Sequence, residues 1–85
     1  MSYNSKAFGI VIGRLRVSKG LTQEGMSGLA GIARSHLAEV ENGKKTVRLD
    51  TLWSLAYALD MQPSELVRLT EEEMRRASNT GGEGP

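Results

Sequence analysis

The chain has 85 residues and a formal net charge of +1; 39% of its residues are hydrophobic and 25% are charged. This length supports one small domain with a modest core and leaves no room for a separate ligand-sensing or catalytic domain. With no cysteine and one histidine, disulfides, a thiolate zinc site and a multi-histidine metal site are excluded, so we expect no metal and no cofactor. The longest apolar run near the N-terminus spans residues 10–12, which predicts a cytoplasmic protein without a signal peptide or membrane contact.

The charges are divided unevenly along the chain. Residues 1–48 carry eight lysines and arginines and three acidic residues, whereas residues 49–85 carry three basic and seven acidic residues. A basic N-terminal part is typical of a surface that faces phosphates, although charge separation of this size is also common in other small domains.

Apolar residues at helical spacing predict the first helix from about Ser5 to Lys19, followed by a stop at Gly20. Thr22 is the predicted cap of a second helix, which ends at Gly31. The predicted inner face of this second helix consists of Met26, Leu29 and Ala30.

A third helix is predicted from about Ala33 to Glu41 and ends at Asn42-Gly43, a pair suited to left-handed backbone. Its predicted inner residues are Ala33, Leu37 and Val40. The fourth helix is predicted to bury one face, formed by Leu49, Leu52, Leu55, Ala56 and Leu59. Trp53 and Tyr57 share a neighbouring face of this helix, and we expect them in the core or at its edge.

Pro63 fits the first position of a fifth helix, because its missing N–H costs nothing there. Thr70 and Glu73 have the spacing of a capping box, which predicts a short additional helix through Arg76. From Ser78 onward the sequence offers nothing to bury. The expected organisation is therefore a domain over residues 1–77 and a disordered tail over residues 78–85.

The third helix carries a polar stripe opposite its apolar face. At about 100° per residue, Ser35, Glu39 and Asn42 lie opposite Leu37 and Val40. Arginine at position 34 suits guanine, a glutamate can accept from a cytosine amino group, and a serine hydroxyl suits several bases. The stripe is therefore either a base-reading surface or a polar face that simply meets water.

Arg16 and Glu41 each lie at the edge of an apolar stripe, four residues after Ile12 and Leu37 respectively. An unpaired charge at such a position is costly, so we expect the two side chains to form a structural salt bridge.

Several short motifs occur in one order across residues 8–66: FG, RLR and KGLTQE up to Glu24, the Ala30-Gly31-Ile32 turn, Arg34-Ser35, ENGKK at 41–45, and LDTLWSLAYALDMQPSEL at 49–66. In this order and spacing they resemble the DNA-binding domains of the lambdoid phage repressor and Xre-like helix-turn-helix family. The resemblance implies an all-α, compact five-helix fold that binds double-stranded DNA and does not act as an enzyme. It also implies that an Arg-Glu pair at the matching positions locks the first helix to the third.

The resemblance also implies roles for individual residues. Those expected to contact bases or phosphates are Gln23, Arg34, Ser35, His36, Glu39, Asn42, Lys44 and Lys45, to which Arg48 adds a further cation. Gln23 is also expected to support the third helix. Glycines 25 and 28 depart from the family pattern and predict an intrinsically weak second helix. Ala33 and Arg48 stand where the family usually supplies a capping residue, which predicts a less stable start for the third and fourth helices.

One recognition helix reads only a few base pairs, so we expect a homodimer on a palindromic operator. The dimer surface is predicted at Met61, Leu66, Val67 and Leu69, a region that the family uses. The expected function is a transcriptional regulator of repressor or restriction-modification controller type, with RNA polymerase as a possible further partner. The alternative is an antitoxin that binds a toxin protein and regulates its own operon.

Overall fold

Five helices follow one another along the chain, and within residues 2–82 there is no strand. The computed structural model describes the backbone of residues 2–82 and the side chains of residues 2–78. Its elements are α1 (Ser5–Ser18), α2 (Gln23–Ala30), α3 (Arg34–Glu41), α4 (Leu49–Ala58) and α5 (Pro63–Gly82). The predicted all-α, five-helix architecture is confirmed.

The helix ends follow their cap residues. Asn4 accepts hydrogen bonds from the N–H groups of Lys6 and Ala7, and Thr22 Oγ1 accepts from the N–H of Gly25 at 2.9 Å. Neither Ala33 nor Arg48 makes a side-chain cap hydrogen bond, so α3 and α4 begin without the cap that usually stabilises a helix start by about 1 kcal/mol.

All five helices contribute to one core. Helix α1 packs against α3 and α5, α2 against α3 and α4, and α4 against α5. The largest fully buried side chains are Val11, Ile12, Met26, Leu37, Val40, Leu55, Leu59 and Leu66. The two short helices α2 and α3 thus owe their order to packing against α1 and α4, because eight residues are too few for an independently stable helix.

Three residues predicted to point inward are exposed: Leu29, Ala33 and Leu49. Helix α2 turns the face of Met26 and Ala30 toward its neighbours, which leaves Leu29 beside that contact. Ala33 and Leu49 lie at helix starts, before the turns that pack on other helices.

The prediction that Trp53 and Tyr57 lie in the core or at its edge is wrong. Their exposed fractions are 56% and 76%, because α4 buries the opposite stripe that contains Leu52 and Leu55. Trp53 and Tyr57 are surface residues.

The prediction of a short additional helix from Thr70 is also wrong, because α5 is continuous through this position. Thr70 Oγ1 donates to the carbonyl oxygen of Leu66 at 2.8 Å, as a mid-helix threonine does, while the N–H of Gln62 donates to Glu65 Oε1 at 2.9 Å at the start of α5. Residues 78–82, predicted as disordered, continue the helix, and residues 83–85 lie outside the described residues. A polar helix end needs no burial, since its backbone hydrogen bonds are local.

Among the described residues, no helix combines the length and apolar character that a membrane-spanning segment needs.

Candidate nucleic-acid interface

Helix α3 has one buried and one open face. Leu37 and Val40 have an exposed fraction of 0%, whereas Arg34, Ser35 and Glu39 are exposed to solvent. The outer face is thus free for a large ligand, and the inner face fixes the helix to the core.

A hydrogen-bonded cluster fixes the C-terminal end of α3. Arg16 Nε donates to Glu41 Oε2 at 2.7 Å and Arg16 Nη2 donates to Oε1 at 3.1 Å, so the salt bridge is bidentate. Gln23 Nε2 donates to the same Oε1 at 3.0 Å, and Arg16 Nη1 donates to the carbonyl oxygen of Leu21 at 2.8 Å. Glu41 therefore connects α3 to α1 and to the start of α2.

The Arg16–Glu41 pair is largely removed from water, with exposed side-chain fractions of 17% and 9%. The hydrogen bonds to Glu41 raise the pKa of Arg16 above its ordinary value, and the negative charge of the carboxylate adds to this effect, while burial opposes it. The salt bridge therefore stabilises the charged form of the guanidinium.

Close backbone contacts hold α1 against the same end of α3. A Cβ atom on Gly9 would lie 2.3 Å from the carbonyl oxygen of Val40 and 2.7 Å from that of Glu41. Gly9 is required for this approach, because any side chain would collide with backbone. A glycine inside a predicted helix is a signal of such a contact, although the sequence does not identify the partner.

The turn after α3 is fixed in the same way. Gly43 has a φ of +74° and its position allows no Cβ, which would lie 2.8 Å from the Cα of Lys6. Ser5 Oγ donates to the carbonyl oxygen of Gly43 at 3.0 Å. The first turn of α1 therefore adjoins the loop that carries Lys44 and Lys45.

Most of the residues expected to contact DNA lie at the surface. Those that are exposed are Arg34, Ser35, Glu39, Asn42, Lys44, Lys45 and Arg48, and His36 is half-buried. The side-chain amide of Gln23 is engaged by Glu41, which leaves the backbone at the start of α2 to contact a phosphate there.

Arg48 differs from the other basic residues of this group. Its Nη2 donates to Asp50 Oδ2 at 3.2 Å, and it adjoins exposed apolar side chains, including those of Leu49 and Trp53. A phosphate contact would require Arg48 to exchange this exposed carboxylate for DNA.

An open, polar cavity of about 490 Å³ lies between the starts of α2 and α3. Its lining consists of Arg16, Thr22, Gln23, Glu24 and Arg34. Of the two guanidinium groups in this lining, that of Arg34 is exposed and makes no hydrogen bond within the described residues, whereas that of Arg16 already donates to Glu41 and Leu21. The carboxylate of Glu24 lies on the same lining.

A second surface is apolar. The exposed side chains of Leu49, Trp53, Tyr57 and Val67 form what we call the α4–α5 surface. It adjoins two cavities of about 500 and 350 Å³, both lined in part by Leu49, Leu52 and Val67.

Of the four predicted dimer residues, the structure contradicts Leu66. Leu66 has an exposed fraction of 0% and belongs to the core, because α5 packs the face of Leu66 and Thr70 inward. Met61 and Leu69 are half-buried, and Met61 packs against the core. Of the four residues, only Val67 is freely exposed.

Comparison with known proteins gives consistent results. A helix-turn-helix family model matches residues 12–66. An uncharacterized HTH-type transcriptional regulator, y4dJ, from Sinorhizobium fredii is 39% identical over 67 residues, which cover 79% of this chain and 87% of the relative.

Solved structures agree. The restriction-modification controller protein C.AhdI from Aeromonas hydrophila is 40% identical with a TM-score of 0.73, and the match covers 76% of this chain and 98% of that protein. The clp gene regulator ClgR from Corynebacterium glutamicum is 21% identical and has a TM-score of 0.89 over 95% of this chain and 86% of that one, which shows the shared fold. The chain therefore belongs to the HTH_3 (Xre-type) helix-turn-helix family of DNA-binding transcriptional regulators, which are not enzymes.

Proposed function

We propose that this protein binds a palindromic operator as a homodimer and regulates transcription, as a repressor or as a restriction-modification controller. The observation that carries this proposal is the division of α3: its polar outer face is open to solvent, while Leu37, Val40 and Glu41 hold it from behind. A face held in this way is preorganised, so little ordering is needed when it enters a major groove. The identity to the controller protein C.AhdI supports the same class of function.

In the proposed complex, Arg34, Ser35 and Glu39 read base edges. Arg34 is at the N-terminal end of α3, the end that a recognition helix presents to the bases. A bidentate Arg–guanine pair contributes roughly 1–3 kcal/mol of discrimination, whereas Lys44 and Lys45 contact phosphates and add affinity without sequence preference.

Selection of duplexes from a random library, followed by fluorescence anisotropy, tests the proposal. Arg34→Ala is expected to lower affinity for the selected duplex by about 10- to 100-fold and to relax the preference at one base pair. Arg75→Ala is the matched control, because Arg75 is an exposed cation on α5. Wild-type binding without salt dependence or sequence preference would contradict a regulator of this kind.

The homodimer is proposed to form through the α4–α5 surface. Leu49 and Trp53 project beside cavities of about 500 and 350 Å³, so a twofold axis would bring projections of one copy to recesses of the other. Charges of both signs, on Arg48, Asp50 and Glu71, border the apolar residues. A surface that carries projecting side chains, recesses and charges of both signs can pair with a second copy of itself.

Sedimentation equilibrium tests this interface. Trp53→Glu is expected to give a folded monomer, because it places a charge at the centre of the contact. Val17→Glu is the control, since Val17 is an equally exposed apolar residue on α1. A monomeric wild type, or a dimeric Trp53→Glu variant, would refute the proposed interface.

A further inference from the structure

Three lysines meet at one corner of the molecule. Lys44 and Lys45 follow α3, and Lys6 lies in the first turn of α1. The Cα of Lys6 is 2.8 Å from the position of a Cβ on Gly43, and Ser5 Oγ donates to the carbonyl oxygen of Gly43 at 3.0 Å. We call Lys6, Lys44 and Lys45 the lysine corner.

The lysine corner has no anionic partner in the part of the chain that the structure describes. All three lysines are exposed, and none of them forms an ion pair there. The carboxylate of Glu41, at the end of α3, is already bound by Arg16 and Gln23. Three positive charges therefore lie on neighbouring segments, and no acidic side chain among the described residues pairs with them.

Lys6 is also unfavourably placed for the helix that carries it. The first turn of α1 contains no acidic residue, although a negative charge is the stabilising choice at a helix N-terminus. A cation there is repelled by the helix dipole and by the neighbouring lysines, and an anion bound at the corner would remove both repulsions.

We propose that Lys6 contacts a phosphate of the DNA backbone and that it extends the contact of Lys44 and Lys45 onto the first turn of α1. This inference rests on the proposed function. The Ser5–Gly43 hydrogen bond holds the two segments together, so the corner meets the DNA strand as one rigid unit. Contacts of this kind position the protein and are independent of base sequence.

The salt dependence of binding measures the number of phosphates that are neutralised. Between about 50 and 200 mM salt, Lys6→Gln is expected to reduce the slope of log K against log salt by about 0.9, the value for one phosphate contact on B-DNA. The affinity should fall by the same factor on selected and unselected duplexes. Arg75→Gln removes an exposed cation from α5 and should leave the slope unchanged.

Neutral methylphosphonate substitution, one phosphate at a time, distinguishes contact from a distant electrostatic effect. We expect one backbone position at which the wild type loses affinity and Lys6→Gln does not. The melting temperature of Lys6→Gln should be no lower than that of the wild type, because the substitution removes a repulsive charge.

Three results would overturn the inference. The first is an unchanged slope for Lys6→Gln beside reduced slopes for Lys44→Gln and Lys45→Gln. The second is a reduced slope for Lys6→Gln with identical penalties at every methylphosphonate. The third is equal loss in Arg75→Gln. Wild-type protein without salt-dependent binding would instead refute the proposed function itself.

Discussion

Glu41 joins the C-terminal end of α3 to α1 and α2. Its two oxygens accept three hydrogen bonds, from Arg16 Nε, Arg16 Nη2 and Gln23 Nε2. The pair was predictable from helical spacing, whereas a role for Gln23 in supporting α3 was expected only from the family resemblance, which also implies a phosphate contact. The hydrogen bond from its side-chain amide to Glu41 is that support.

Replacing Glu41 by Ala is expected to lower the free energy of unfolding by about 3 kcal/mol, because it leaves the guanidinium of Arg16 buried and uncompensated. This is at the lower end of the range for buried pairs, since Arg16 keeps its bond to the Leu21 carbonyl oxygen. Urea unfolding followed by circular dichroism measures the loss. Glu72→Ala, which removes the partner of Arg68 in an exposed pair, should change stability by less than about 0.5 kcal/mol; an equal effect of the two substitutions would contradict this account.

Tyr3 provides a pH-dependent contribution to stability. Tyr3 is 51% exposed, and the partial burial of its ring, whose centroid lies 6.2 Å from that of Phe8, raises its pKa above the ordinary value of 10.0. A raised folded-state pKa favours the neutral phenol in the native state, so this contribution is complete below the unfolded-state pKa and disappears as pH rises through the folded-state pKa. The stability of the wild type relative to Tyr3→Phe, measured by urea unfolding, should therefore fall as the pH rises above 10.0, the ordinary pKa of tyrosine. A constant difference would show that Tyr3 titrates equally in both states.

Among the helices, α2 combines a good cap with weak interior residues. Thr22 caps it, but Gly25 and Gly28 lie within its eight residues. Gly28 has open space around its Cα hydrogens, so no packing reason requires a glycine there, whereas Gly9 of α1 faces the backbone of α3. Substitution of Gly28 should therefore stabilise the protein, whereas substitution of Gly9 should destabilise it.

Gly28→Ala is expected to raise the free energy of unfolding by about 1 kcal/mol, the propensity difference in a helix interior. Gly9→Ala is expected to lower it by about 3 kcal/mol, because α1 and α3 must separate to admit the methyl group. Both changes in the free energy of unfolding are measured against the wild type by urea unfolding under the same conditions. A stabilised Gly9→Ala variant would mean that α1 approaches α3 less closely than described.

Helical periodicity was sufficient to predict the five helices and the buried positions Leu37, Val40 and Leu55. It failed where the choice between two apolar faces depends on a neighbour, as for Trp53 on α4 and Leu29 on α2. An amphipathic pattern shows which residues avoid water, but helices from distant parts of the chain decide which of them are covered. The capping-box spacing at Thr70 failed for a related reason, since the same residues are compatible with an uninterrupted helix.

Trp53 is the only tryptophan in the sequence and lies on the α4–α5 surface, so the intrinsic tryptophan fluorescence of the whole molecule reports on the proposed dimer. Dilution through the dissociation constant is expected to shift the emission to longer wavelength, because dissociation exposes the indole to water. The melting temperature should also decrease as the protein is diluted. Emission and melting temperature that are both independent of concentration would contradict dimerisation through the α4–α5 surface.

The uncapped start of α3 and its firmly bound end have a consequence for how such a protein diverges. Within the described residues, α3 is held by its buried side chains and by Glu41, and no hydrogen bond or ion pair uses the side chains of Arg34, Ser35 or Glu39. Exchanging these three side chains should leave folding intact, because exposed positions without partners tolerate substitution. Because these are the side chains proposed to read bases, we expect exchanges among them to change the preferred operator while the scaffold is retained.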